Sequence, residues 1–333
     1  MTGVKIIQSS FFRLKVLSQG GLVLMMIFGL IPLASAWTCV YVSSYHRGYG
    51  WSDGVERGLR RGLQGECDLI QFDMDTKRNS SETYKTHKAR EIAGKIKEIK
   101  PDVLITSDDN AARYLIVPFF SGTDLPVVFC GINWTVEEYG FPTSNVTGMV
   151  EVMAIKPMLE WAGKLTDSGT RGLYIGTDAL SEIKDYRFLA KAAKDLGFTI
   201  DHVVVDNQQA WISALEQANE VDFIVLGTSS GIEDWDEKTV LRSVKQHADK
   251  LILTSYRKMM PLAMVGFVKI PEEQGQWAAK TAIAIHDGMP IKRIPIIANR
   301  KWEVYENDLL LKISGIKLPD VLRSRAKKFK QGL

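Results

Sequence analysis

The chain is poor in the residues from which metal and redox centres are built. It has three cysteines and five histidines in 333 residues, with no C-x-x-C pair and no His-rich spacing. A metal site is therefore without support, and no cofactor is expected. Gly48, Gly50 and Gly54 miss the G-x-G-x-x-G spacing that holds a dinucleotide. The loop from Gly227 to Gly231 is not G-x-S-x-G, and no histidine stands in a recognisable triad setting. A dehydrogenase and a hydrolase both lack their usual marks, so the chain reads as a binder rather than an enzyme. Also missing is an apolar run long enough to cross a bilayer. The greasiest stretch, residues 22–33, falls short of the ~20 residues that a span needs.

That stretch does have a meaning. Lys5, Arg13 and Lys15 precede it and Ala34-Ser35-Ala36 follow it. A basic start, a short apolar core and an A-x-A end describe a secretory signal peptide over residues 1–36, cut after Ala36. No cysteine directly follows the small residues, which argues against lipid attachment at Cys39. The expectation is a soluble exported chain starting at Trp37, in a bacterial periplasm.

Removing the segment also removes the net charge. Its three basic residues account for the whole excess of 42 Lys+Arg over 39 Asp+Glu. A neutral mature chain gives no electrostatic reason to bind nucleic acid or a membrane surface. The basic tail from Arg323 to Lys330 is the local exception, and its spacing suits a solvated helix face.

With 45% apolar residues and only 11 prolines, the remaining length exceeds one compact core and suits two. Cys39 and Cys67 start two strands that follow one another, whereas Cys130 ends a strand toward the opposite sheet edge. Geometry favours a Cys39–Cys67 bridge with Cys130 free and buried; three reduced thiols remain the alternative.

Short apolar runs alternate with helical periods, the mark of strand-helix-strand units on parallel sheets. Strands are expected over 38–44, 69–74, 103–106 and 126–130. The first helix carries Val55, Leu59 and Leu63 beside Gly54, Gly58 and Gly62, a stripe that lets it lie close to the sheet. A second series follows Gly148, with strands over 172–176, 199–205, 223–227 and 251–254 and helices over 155–165, 181–196, 210–218 and 237–248. Crossings near 146–150 and 265–268 predict a hinge of several strands. The fold class is α/β, with two doubly wound parallel-sheet lobes.

Ligands of open parallel sheets collect where the strands end, because loops and helix N-termini converge there. In the first half those positions hold Ser44, Tyr45 and Trp51, then Ser107 and Asp108, then Asn133 and Trp134. In the second half they hold Thr177 and Asp178, Thr228 and Ser229, and Tyr256. Hydroxyls and helix-start N–H groups suit a carboxylate, an Asp suits an ammonium, and the rings suit an apolar body between the lobes. Asp108-Asp109 can equally cap a helix from Ala111, and Thr135 to Glu138 reads as a capping box.

Several segments carry a resemblance. Lys100-Pro101-Asp102 leads a strand, Pro126-Val127-Val128-Phe129 forms another, and Asn145-Val146-Thr147-Gly148 stands at a crossing. Later come Asp287-Gly288-Met289-Pro290 and Gly315-Ile316-Lys317-Leu318-Pro319. Together they resemble the substrate-binding components of ABC transporters, in the family that includes the tryptophan and tyrosine binders. The resemblance implies a type I periplasmic-binding fold, with lobe 1 from 37–148 and 267–290 and lobe 2 from 149–266 and 291–333. It further implies a monomer that closes on a small polar molecule, possible ligands including an amino acid, and passes it to a membrane permease. A sensory role, in which the closed form docks onto a receptor or kinase, is the alternative.

Overall fold

The computed structural model describes residues 37–330. The expected signal peptide, its cleavage site and the last three residues lie outside the described residues. Among those described, no helix is long and apolar enough to cross a membrane.

The chain opens with β1 (Trp37–Ser43), α1 (Gly50–Leu63), β2 (Cys67–Asp73), α2 (Glu82–Ile99) and β3 (Val103–Ser107). It continues through α3 (Asp108–Ala111), a wide-turned helix over Ala112–Phe120, β4 (Val127–Asn133) and β5 (Val146–Glu151). Next come α4 (Ile155–Leu165), β6 (Arg171–Gly176), α5 (Leu180–Asp195), β7 (Thr199–Val204), α6 (Gln208–Glu216) and β8 (Phe223–Leu226). After α7 (Glu237–Gln246), β9 (Leu251–Thr254) and β10 (Val265–Lys269), the chain runs through α8 (Pro271–His286), β11 (Ile297–Ala298) and β12 (Trp302–Glu306). It ends in α9 (Asp308–Ser314), α10 (Asp320–Arg323) and β13 (Ala326–Lys328).

Two sheets result. The first has the order β2-β1-β3-β4-β5-β11, with every pair parallel. The second has the order β7-β6-β8-β9-β10-β12-β13, parallel except where β12 runs against β10. Both sheets reverse their winding once, between β1 and β3 and between β6 and β8. Crevices open at such reversals, because the connecting helices leave toward opposite faces. Near-continuous buried apolar strands, such as Val127–Asn133 and Phe223–Leu226, are what a sheet covered on both faces requires.

Three short passages join the sheets: β5 into α4, β10 into α8, and β11 into β12. They are tied together. The Asn299 side chain accepts from Val152 N–H at 2.7 Å and donates to Val152 C=O at 3.2 Å. The Glu273 carboxylate accepts from the backbone N–H groups of Arg300 and Lys301 at 3.1 and 2.9 Å. The expected crossings, 146–150 and 265–268, fall within the strands β5 and β10, and the passages follow directly after those strands. The expected last boundary at residue 290 does not coincide with a change of sheet. Ile297–Ala298 still pairs with β5, and the chain joins the second sheet only at Trp302.

The glycine stripe of α1 serves a different contact from the one expected. A Cβ at Gly54, Gly58 or Gly62 would run into Pro271, Glu272 or Ala279, all on α8. Gly275 of α8 answers by lying against the α1 backbone at Val55 and Leu59. Two helices therefore meet backbone to backbone, which only glycine permits. The returning helix α8 is thereby locked onto the first sheet.

Cys39 and Cys67 are joined as a disulfide, their Cα atoms 6.1 Å apart on neighbouring strands, and Cys130 is free and buried. Burial pushes the Cys130 thiol up, and Asp108 and Glu151 add to the shift.

Candidate functional site

The carboxyl ends of both sheets face one space between the lobes. On the first lobe, three consecutive strands deliver their end residues in left-handed backbone: Asp75 after β2 (φ 56°), Asp108 after β3 (φ 69°) and Trp134 after β4 (φ 63°). Non-glycine residues in that region cost energy and persist only where surrounding contacts fix them. At Asp108 those contacts are visible. Trp51 Nε1–H donates to its Oδ1 at 3.1 Å. Gly131, at φ 71°, brings its Cα edge against the same Asp108 and Trp51 atoms. Gly131 is also where the register of β4 slips against β5, so the strand bulges and continues to Asn133 instead of ending at Cys130.

Asp108 is 3% exposed, and its Oδ2 has no hydrogen-bond partner among the described residues. Burial holds its pKa well above the usual carboxylate range, and Glu151 and Asp109 add to this while the Lys77 ammonium opposes it. Lys77 lies close by, its Nζ 4.7 Å from the Tyr45 ring centre and 5.5 Å from that of Tyr49. It reaches across to the second lobe, donating to Ser230 Oγ at 3.5 Å.

Other polar groups of the first lobe are engaged by the protein itself. Ser44 Oγ–H donates to Ser107 C=O, and its oxygen accepts from Ala111 N–H at 2.8 Å, so Ser44 takes the capping role that was the alternative reading of Asp108-Asp109. The Ser107 hydroxyl shares a hydrogen bond with Tyr41. The Asn133 side chain donates to Asp109 Oδ2 at 2.6 Å. Thr135 accepts from Glu137 N–H at 3.3 Å, at the head of a single turn over Glu137–Tyr139 rather than of a full helix.

The second lobe presents its groups from the first turns of α5. Glu182 lies over the ends of β6 and β8, in room left by Gly176 and Gly227; a Cβ at Gly227 would collide with its carboxylate. Glu182 Oε2 accepts from Thr228 N–H and from Tyr174 O–H, both at 2.9 Å. Its Oε1 is buried without a partner among the described residues. Burial and the nearby Asp185 raise its pKa, while the Thr228 and Tyr174 donors pull the other way.

Two residues further along, Lys184 enters the first lobe. Its Nζ meets Asp109 Oδ1 at 2.7 Å, Glu138 Oε1 at 2.6 Å and the Asn133 carbonyl at 3.3 Å. Asp185 accepts from Trp134 Nε1–H and from Tyr256 O–H. One face of Trp134 is stacked on Phe188 of α5, with centroids 4.5 Å apart and planes 6° from parallel. Trp134, expected as a stacking surface for ligand, thus grips the opposite lobe with its N–H and one of its faces.

At the base of the space, buried Glu151 and Lys269 form an ion pair beside two of the three passages. Burial pushes Glu151 up to about 7, Lys269 opposing. Burial alone would lower Lys269, but Glu151, Asp185 and Glu182 carry it above its ordinary value. Its Nζ lies 4.4 Å from the Tyr256 ring centre and 5.9 Å from that of Trp51.

Of the remaining sequence-derived candidates, Thr228 supplies the N–H that holds Glu182. Ser229 is buried beside it. The Thr177 hydroxyl accepts from Ala179 N–H at 3.4 Å, and Asp178 is exposed. Sequence reasoning passed over Tyr49, Lys77, Glu151, Glu182, Lys184, Asp185 and Lys269. A signal for the α5 group was present: glycines end β6 and are next after β8, and charges stand at 182, 184 and 185 just beyond the first of them.

Comparison with known proteins agrees with this architecture. A family profile described as ABC transporter substrate binding protein matches residues 50–330. The chain belongs to that family. Its fold is similar to a Streptococcus pneumonia ABC domain in complex with L-Trp (16% identity, TM-score 0.66, 87% of this chain and 99% of that one). It is also similar to the ligand-free, open structure of a substrate binding protein with adhesive properties from Clostridium difficile (14% identity, TM-score 0.68, 89% and 100%). A periplasmic ribose ABC transporter structure from Conexibacter woesei shares the fold at 12% identity (TM-score 0.57, 88% and 99%). No curated protein sequence gives a match.

Proposed function

We propose that this member of the ABC transporter substrate-binding family captures a small polar organic molecule bearing an ammonium group, such as an amino acid, by closing its lobes over it. Asp108 is the group that holds the ammonium, Trp51 orients that carboxylate, and the rings of Tyr45, Trp51 and Tyr256 bound the body of the ligand. Ser229 and neighbouring N–H groups of the loop after β8 suit the ligand's acceptor end. The observation that carries this reading is Asp108 Oδ2, a buried carboxylate oxygen with no partner at the winding reversal of the first sheet. An unpartnered buried acceptor is costly, and an incoming donor removes the cost.

The same reading makes the protein a monomer exported to the periplasm, with residues 1–36 removed, that presents its closed form to a membrane permease. Binding, not catalysis, is the role. Closure needs ligand contacts from both lobes, so that the ligand favours the shut state over the open one.

Native mass spectrometry of freshly purified protein should show a retained small molecule. Calorimetry with that molecule, or with a panel of free amino acids, should show Asp108→Asn weakening binding by about tenfold or more, the loss of a charge-assisted bond. Unchanged affinity in a folded Asp108→Asn protein would move the site away from the cleft.

A further inference from the structure

Most of the charged groups around the cleft are already engaged by the protein. Lys184 is held by Asp109 and Glu138, Lys269 by Glu151, and Asp185 by two neutral donors. Among the described residues, three keep a position open to a ligand: Asp108 on the first lobe, Glu182 on the second, and Lys77, which no carboxylate meets. Lys77 meets the Tyr45 and Tyr49 rings and the Ser230 hydroxyl. Both carboxylates have one oxygen fixed by protein donors and the other buried without a partner. They occupy equivalent places, each at the winding reversal of its own sheet. The loop after β8 links Glu182 to the first lobe: Thr228 N–H holds Glu182, and Ser230, two residues on, meets Lys77.

Each open carboxylate oxygen calls for a positively charged nitrogen, which also draws its buried carboxyl into the ionised form, and Lys77 calls for a carboxylate. A neutral zwitterion would match Asp108 and Lys77 but would leave Glu182 Oε1 without a donor. We infer that the ligand is a cation of net charge +1 with two positively charged nitrogen groups and one carboxylate, the chemistry of a basic amino acid. Its α-ammonium binds Asp108, its carboxylate binds Lys77, and its distal nitrogen binds Glu182 Oε1. Glu182 is then the residue that sets specificity. This inference rests on the cleft proposed above and deepens it, because it fixes the second pole of the ligand.

The test uses L-arginine, L-lysine, L-citrulline, L-tryptophan and D-ribose as calorimetric probes of the mature protein. Citrulline has nearly the shape of arginine without its distal charge, so the comparison requires no variant. Arginine or lysine should bind at least about tenfold more tightly than citrulline, the difference that a charge-assisted bond produces. Glu182→Gln keeps an oxygen to accept from Tyr174 and Thr228, and its melting temperature checks the fold. In that variant the preference for the charged probe should fall to within a few-fold of unity. Citrulline or tryptophan binding as tightly as the basic probes, with Asp108→Asn weakening it, would overturn the inference and leave the amino-compound cleft standing. Ribose binding with no response to any amino probe would overturn both.

Discussion

The two lobes solve the same problem in different ways. Both place a carboxylate with one free oxygen at the winding reversal of a parallel sheet. The first lobe does so with a residue on the strand end itself, Asp108, in left-handed backbone and braced by Trp51 and Gly131. The second keeps its strand ends plain, with Gly176 closing β6 and Gly227 directly after β8, and brings Glu182 over them from α5. Strain holds the group on one side and vacated volume holds it on the other. The same helix turn that carries Glu182 carries Lys184 and Asp185, so Glu182 and the second lobe's grip on the first lobe move together.

The largest effect that would break this arrangement is expected from Lys184→Met. It leaves Asp109 and Glu138 without their cation, and an uncompensated buried charge costs about 3–5 kcal/mol. Because the partners lie on opposite lobes, opening the cleft relieves most of that cost. Small-angle scattering should show a more open ligand-free form, and affinity should fall by about a hundredfold or more, while the melting temperature changes little. A collapse of thermal stability with unchanged scattering would mean that Lys184 holds the fold rather than the closure.

Gly227→Ala acts inside one lobe. Its Cβ meets the Glu182 carboxylate and the Tyr174 hydroxyl, and overpacking of this kind costs about 1–3 kcal/mol. The variant should melt earlier, and Glu182→Ala added to it should recover part of the loss by clearing the space. If the double variant is less stable than Gly227→Ala alone, vacated volume is not what positions Glu182.

A smaller effect separates the lobes by pH. Glu151 titrates near 7 in the folded chain against about 4.5 when unfolded, so the folded state binds more protons between those values. Stability from this group is full below about 4.5 and is lost as pH rises through 7. Asp108 and Glu182 are shifted in the same direction by burial. Without added ligand, the melting temperature should fall between pH 5.5 and 8, with a shallower slope in Glu151→Gln. An identical slope in that variant would assign the dependence to Asp108 and Glu182.

The alternation of apolar runs and helical periods and the placement of Cys39 and Cys67 were legible in the sequence, because each is a local constraint. Helices and parallel strands follow from period, and the meeting of Asp108 with Trp51 follows from the rule that loops after strands converge, since their place on the strand order is also their place in space. Ser44, Ser107 and Asn133 occupy the same region, but their donors and acceptors close on one another, and no sequence pattern shows which polar groups pair. The glycine stripe of α1 marked a close contact, yet its partner, α8, lies more than two hundred residues away. Glu182, Lys184 and Asp185 look like ordinary first-turn residues of a solvated helix until β6, β8 and the opposite lobe are set against them. Burial turned these three charges into a closing surface, and burial is decided only when distant parts of the chain meet.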